Sequence, residues 1–356
     1  MKIMQILPLF GYGGAETMCA NLSIELKQMG HDVIVISLYN KKTPISGYIE
    51  KNGIKVIYLD KKSGLDLSIF RKLKTIFKKN KPDVVHSHLY ASKYVHIPAY
   101  LTKVKCKVHT IHNVASKESG FINQKINLFL FKYLNVIPVS LSDIVQETVI
   151  NTYGISKEST PVILNGVPLN KCHRHEQYNI PPRKFIHIGR FSEQKNHLML
   201  VKSFIKAHES IDDIELFLYG EGELEEKVKE CVKNYKAESY IHFCGVTNDP
   251  YTVLNSADCF IFPSKWEGIP MTIIEAMGTG LPIIATKVGG IENMLKDKES
   301  GLLINVNEEE IVNAIIKMHD DTKLYKSVGR KALKESFRFS SVNMTKEYLK
   351  IYQRNQ

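Results

Sequence analysis

Several things are scarce in this sequence of 356 residues. It holds six cysteines and one tryptophan. The cysteines stand at 19, 106, 172, 231, 244 and 259, with no CxxC pair. That spacing excludes a disulfide scaffold and reads as reduced, idle thiols of a cytoplasmic protein. Long apolar runs are missing too. The longest charge-free stretch lies between Lys2 and Glu16, well short of the ~18 residues a membrane-spanning helix needs. One lysine followed by Pro8 and a glycine cluster is a poor match to a secretory leader, so none is expected. Compositional bias is absent as well: 44% hydrophobic and 24% charged residues exclude disorder and collagen. At ~150 residues per domain, the length suggests two domains.

Acidic charge is short in one half only. The net charge is +11. Residues 1–175 carry 24 Lys/Arg and 11 Asp/Glu, and the remainder carries 24 and 26, so the excess lies wholly in the N-terminal half. Such asymmetry points to an anionic partner for that half. No nucleic-acid-binding motif is present, which leaves an anionic membrane surface. Segment 65–81 has Ile69, Phe70, Leu73, Ile76 and Phe77 at helical spacing, with Lys72, Lys74, Lys78, Lys79 and Lys81 on its other faces. It reads as a helix packed on a sheet with a solvated basic face, or as a membrane-facing one. Segment 121–135, rich in Phe and Leu, reads as a core helix or as a surface leaning into a bilayer.

Short apolar runs alternate with helical patterns: strands at 3–10, 33–39, 55–59, 83–88, 107–113, 135–140 and 161–167, with helices among them. Residues 168–183, polar and proline-containing, break the rhythm and read as a linker. The pattern restarts with strands at 184–190, 214–220, 240–245, 257–264, 281–290 and 301–306. The expected fold is α/β, with two Rossmann-like doubly wound parallel-sheet domains facing a cleft. Their bounds are 1–167 and 184–338, and a C-terminal helix within 339–356 is expected to pack back on the first domain. Ligands on such sheets sit beyond the carboxyl ends of the strands.

Three stretches carry chemistry. Gly11-Tyr12-Gly13-Gly14-Ala15-Glu16 follows a strand and opens a helix, so backbone amides there can approach an anion. A dinucleotide fingerprint would need glycine at Glu16 and an acid closing the second strand, and neither is present, which disfavours NAD. In Gly189-Arg190-Phe191-Ser192-Glu193-Gln194-Lys195-Asn196, two cations share a strand-to-helix loop and read as a diphosphate clamp. In Glu267-Gly268-Ile269-Pro270-Met271-Thr272-Ile273-Ile274-Glu275, Pro270 suits the first turn of a helix. Two carboxylates then flank free amides that suit a phosphate oxygen, with sugar hydroxyls as the carboxylates' natural partners. No DxD motif closes a strand, and Asp212-Asp213 reads as surface. Cys172-x-x-His175 offers two zinc ligands, not four. Neither a metal nor a cofactor is expected.

The chain resembles the retaining glycosyltransferases of family 4, which have the two-Rossmann GT-B architecture. GGAE (13–16), TIHN (110–113), NGV (165–167), GRFSEQKN (189–196), YGEG (219–222), FCG (243–245), FPSKWEGIPMTIIEA (262–276) and GLPIIATKVGG (280–290) carry the resemblance, and the E-x7-E pair Glu267 and Glu275 is its most specific part. The resemblance implies transfer of a hexosyl or N-acetylhexosaminyl group, with retention, from a nucleotide sugar, expected to be UDP-linked. The acceptor would be a hydroxyl of a glycan or lipid-linked molecule in bacterial cell-surface polysaccharide synthesis. Gly13 and Gly14 would approach donor phosphates or leave room for acceptor. Gly189 belongs to the loop on which Arg190 and Lys195 hold the diphosphate. Glu275 would bind ribose hydroxyls and Glu267 the donor hexose, with Ile269, Met271 and Thr272 at the helix start. Phe243 to Val246 would face the nucleobase. His112 matches the loop histidine that contacts the transferred sugar, whereas His109 is expected to point into the core. The first domain would bind acceptor and rest peripherally on the inner face of the plasma membrane. A sugar-nucleotide hydrolase, epimerase or phosphorylase on the same fold, or a non-catalytic binding subunit, are the alternatives.

Overall fold

A computed structural model describes residues 1–11, 13–113, 115, 120–173 and 177–354. The chain forms two compact units, Met1–Val167 with Ser341–Gln356, and Pro168–Ser340.

In the first unit, β1 (Lys2–Leu7), β2 (Asp32–Ser37), β3 (Lys55–Tyr58), β4 (Val84–His88), β5 (Cys106–Ile111) and β6 (Val136–Ser140) form one parallel sheet in the order β3-β2-β1-β4-β5-β6. The order reverses between β1 and β4, so the loops after those strands splay apart and open a binding crevice. Most strand positions are buried on both faces because helices cover both. Helix Ser68–Asn80 buries Ile69, Leu73 and Phe77 against Met4, Ile6 and Val85, at roughly 1.5–3 kcal/mol per side chain. Its basic residues stay on the outer faces, as the first of the two readings has it. Helix Phe121–Tyr133 buries only Asn127, Leu130 and Phe131. Phe121, Ile122, Phe129 and Tyr133 are exposed. Helix Ser341–Arg354 packs beside helix Gly14–Gln28 and buries Tyr348 and Tyr352 completely.

In the second unit, β7 (Lys184–Ile188), β8 (Glu215–Tyr219), β9 (Ile241–Phe243), β10 (Cys259–Phe262), β11 (Ile283–Thr286) and β12 (Leu302–Ile304) repeat the plan in the order β12-β11-β10-β7-β8-β9. Here the switch falls between β7 and β10. No helix among the described residues is long and apolar enough to cross a membrane.

Three readings of the sequence need correction. Residues 161–167 are not a strand. Val162 makes a single bridge to Ser140; Pro161 accepts from Ser140 N there but has no N–H to extend the ladder on its N-terminal side. The strand pattern omits helix Pro44–Lys51, in which Thr43 and Ser46 form a capping box and Pro44 takes the first helical position. Residues 168–183 belong to the second unit. Cys172 is buried beside Gly278, Tyr178 donates to the Gly280 carbonyl at 3.0 Å, and Asn179 donates to Asp258 at 2.8 Å. His175, the second half of the zinc reading, lies outside the described residues.

Candidate active site

The loop after β7 is pinned at its root. Gly189 N donates to the Tyr219 carbonyl at 2.9 Å and Phe191 N to that of Glu221 at 3.1 Å. Phe191 is buried and stacks on His197 with ring centres 4.0 Å apart. The two cations of this loop diverge. Arg190 turns outward and pairs with Glu223 at 3.1 Å, its side chain 71% exposed. Lys195 turns inward, its Nζ 2.6 Å from Glu267 Oε1 and 4.4 Å from the centre of the Phe262 ring.

Lys195 meets Glu267 because β7 and β10 are neighbours, so the loops leaving them lie side by side. Lys265 N donates to the Gln194 carbonyl at 2.8 Å, and Gln194 Nε2 to that of Trp266 at 2.9 Å. Behind them runs the turn after β11. Gly289 has φ +56° and a side chain there would overlap the Glu267 carbonyl, so only glycine lets the two backbones touch. The Lys195–Glu267 pair is buried, its side chains 17% and 6% exposed. Each charge therefore depends on the other.

Helix Met271–Thr279 follows. Pro270 is its N-cap, with extended backbone, rather than a first-turn residue as read from the sequence. The correction strengthens the site. No side chain caps this end and the first turn holds no acid, so the amides of Met271, Thr272 and Ile273 keep their positive end for an anion. Glu275, one turn on, is 4% exposed and has no hydrogen-bond partner among the described residues. Burial pushes its carboxyl up to about 8. Phe243 closes β9 and stacks on Phe191 at 5.9 Å, while Val246 beyond it is exposed.

In the first unit, Gly13 is the N-cap of helix Gly14–Gln28. The glycine loop wraps the protein's own Glu16. Its carboxylate accepts from the Gly11 and Glu16 amides, and burial raises its pKa. A side chain on Gly13 would strike that carboxylate. The anion read into this loop is thus internal. Its signal was the acid in the first helical turn. His112 stands just after β5, half-buried, with Nε2 3.0 Å from His88 Nδ1. Desolvation, then the charge of His109, pushes it down to about 3. His109 is buried and bonded to Ser87 at 2.9 Å, as expected.

Two doubly wound parallel sheets in one chain, with a buried Lys–Glu pair and an uncapped helix start at the switch of the second, are what the resemblance to the GT-B glycosyltransferases implies. Two family models match consecutive stretches: Glycosyltransferase Family 4 over residues 12–171 and Glycosyl transferases group 1 over residues 172–335. The chain belongs to this family, the group 1 glycosyltransferases of family 4. It is similar to the UDP-Gal:alpha-D-GlcNAc-diphosphoundecaprenol alpha-1,3-galactosyltransferase of Escherichia coli, with 28% identity over 73% of this chain and 72% of that one. It is also similar to a Campylobacter jejuni enzyme, N-acetylgalactosamine-N,N'-diacetylbacillosaminyl-diphospho-undecaprenol 4-alpha-N-acetylgalactosaminyltransferase, at 25% identity over 98% and 99%. Anabaena HepE in complex with UDP and glucose shares the fold, with a TM-score of 0.87, 18% identity and 99% of each chain covered.

Proposed function

We propose that this glycosyltransferase moves a hexosyl or N-acetylhexosaminyl group, with retention, from a UDP-sugar to a hydroxyl of a lipid-linked glycan in cell-surface polysaccharide synthesis. One observation carries the donor half: Glu275, a buried carboxyl without a partner among the described residues, one turn from a helix start that no described side chain caps. A carboxyl in that state is satisfied by hydroxyl donors, and an uncapped helix start by phosphate oxygens. A nucleoside diphosphate supplies both. The lipid-linked acceptor rests on the names of the Escherichia coli and Campylobacter relatives.

In this reading the anomeric carbon parts from the phosphate oxygen as the acceptor oxygen bonds to it. The acceptor's proton passes to the leaving diphosphate, which suits attack from the leaving-group side. The amides of Met271 and Thr272 meet the charge growing on the diphosphate without reorganising, while Arg190 leaves Glu223 and swings in to join Lys195 beside it. Glu267 binds the hexose, Glu275 the ribose, and Phe243 to Val246 the base. Gly189 lets its loop run close to the diphosphate. No metal or cofactor takes part. Glu16 already fills the loop of Gly13 and Gly14, which favours room for acceptor over donor phosphates as their role. His112 offers a hydrogen bond to the transferred sugar.

The test is turnover of UDP-glucose, UDP-galactose and UDP-N-acetylglucosamine with a polyprenyl diphosphate-linked sugar as acceptor, the product read by anomeric NMR. An α-linked product from one donor is expected. Hydrolysis without transfer, or binding without turnover, would favour the hydrolase or the non-catalytic subunit instead.

A further inference from the structure

The histidines of β4 stand outside the reading above, yet they form the longest side-chain hydrogen-bond path described in the first unit. His86 and His88 are fully buried, and alternation puts them on one face of the strand. His88 Nε2 lies 2.9 Å from Gln5 Oε1 on the neighbouring β1, and His88 Nδ1 lies 3.0 Å from His112 Nε2. In the other direction, Gln5 Nε2 donates to Tyr352 Oη at 3.3 Å. Tyr352 Oη is 2.7 Å from His86 Nδ1, and His86 Nε2 is 2.8 Å from Thr110 Oγ1.

A neutral imidazole carries one N–H, so one end of the path sets the rest. Gln5 Oε1 only accepts, so the proton of His88 sits on Nε2. His88 Nδ1 must then accept, which places the proton of His112 on its Nε2. His112 Nδ1 is left as a bare lone pair, and it has no partner among the described residues. The other branch runs with the same polarity. The Gln5 amide gives to Tyr352, Tyr352 gives to His86 Nδ1, and His86 Nε2–H gives to Thr110. Burial supports the neutral forms, holding His86 and His88 well below the usual histidine range.

We propose that Gln5 and His88 are positioning residues, which hold His112 in its Nε2–H tautomer and present its Nδ1 lone pair to a sugar hydroxyl. His112 is then a hydrogen-bond acceptor and not an acid. The inference rests on the reading that His112 touches the transferred sugar, and it adds what sets the proton on that ring.

The experiment pairs histidine ¹⁵N NMR with steady-state kinetics. In the wild-type protein the His112 resonances, assigned by their loss in His112→Ala, should show an unprotonated Nδ1 and a protonated Nε2. Gln5→Met, of similar volume, should mix the tautomers and lower kcat by about tenfold to a hundredfold, with donor KM unchanged. Gln5→Glu keeps an acceptor facing His88 and should restore most of kcat. A protonated Nδ1 in the wild-type protein overturns the proposal even if Gln5→Met does not fold. If Gln5→Met leaves tautomer and kcat unchanged while His112→Ala slows turnover, the path is merely structural and the role of His112 stands. A wild-type rate in His112→Ala overturns both.

Discussion

At the scale of single residues, Glu275 and the Lys195–Glu267 pair carry charge that the fold accommodates differently. An ordinary glutamate titrates near 4.5, and burial moves Glu275 to about 8. Between those values the unfolded chain is ionised while the folded chain keeps its proton. Folding then takes up a proton, and stability falls as pH rises from about 5 through 8. Glu275→Gln removes that fall. In urea melts the variant should be more stable than the wild type by about 4 kcal/mol at pH 8 and by less than about 1 kcal/mol at pH 5. A gap that does not depend on pH would contradict the raised carboxyl. Lys195 and Glu267 behave otherwise, because each neutralises the other at 2.6 Å. Lys195→Met alone strands a buried carboxylate and should cost roughly 3 kcal/mol or more. Adding Glu267→Leu should recover most of that stability and none of the turnover. If both variants are equally unstable, the pair does not hold its loop together by charge.

At the scale of elements, β4, β5 and helix Ser92–Leu101 between them concentrate buried histidines. His86, His88, His96 and His109 are fully buried or nearly so, and all are held below the usual range, His109 at about 4. For a base whose folded pKa is depressed, stability is lost as pH drops below the unfolded value near 6.5, by up to about 1.4 kcal/mol per pH unit for each group. Among the described residues the second unit has two such groups, His187 and His197. Hydrogen exchange at pH 5.5 against pH 7.5 should therefore show β4 and β5 losing protection before β7 and β10. Loss in the reverse order would contradict it. The elements themselves were largely legible, because apolar runs closed by glycine or polar turns leave few alternatives to β–α alternation. Misreadings have local causes. Residues 161–167 look like a strand by apolarity alone, and Pro161, lacking an N–H, blocks the ladder on its N-terminal side. Helix Pro44–Lys51 was overlooked although Thr43-Pro44 announces it.

At the scale of the whole molecule, what stayed illegible is contact over long sequence separation. Glu223 as partner of Arg190, and the path joining residues 5, 88, 112 and 352, depend on which strands become neighbours. No local spacing records that. E-x7-E was legible because one loop and one helix hold both acids. The charge asymmetry was legible as well. With Phe121 and Ile122 more than 70% exposed on helix Phe121–Tyr133, it supports a first unit that rests on an anionic bilayer. Flotation with liposomes should recover the protein with anionic lipid and not with neutral lipid, and Phe121→Glu with Ile122→Glu should abolish recovery. Equal recovery on both lipids removes the membrane reading. The donor site is tested most directly by calorimetric titration with UDP near pH 7 in two buffers of different ionisation enthalpy. Ribose hydroxyls donating to Glu275 favour its charged form, so binding should release protons in the wild-type protein and none in Glu275→Gln. Binding with no proton exchange, or no binding of UDP at all, would contradict the assignment of the ribose to Glu275.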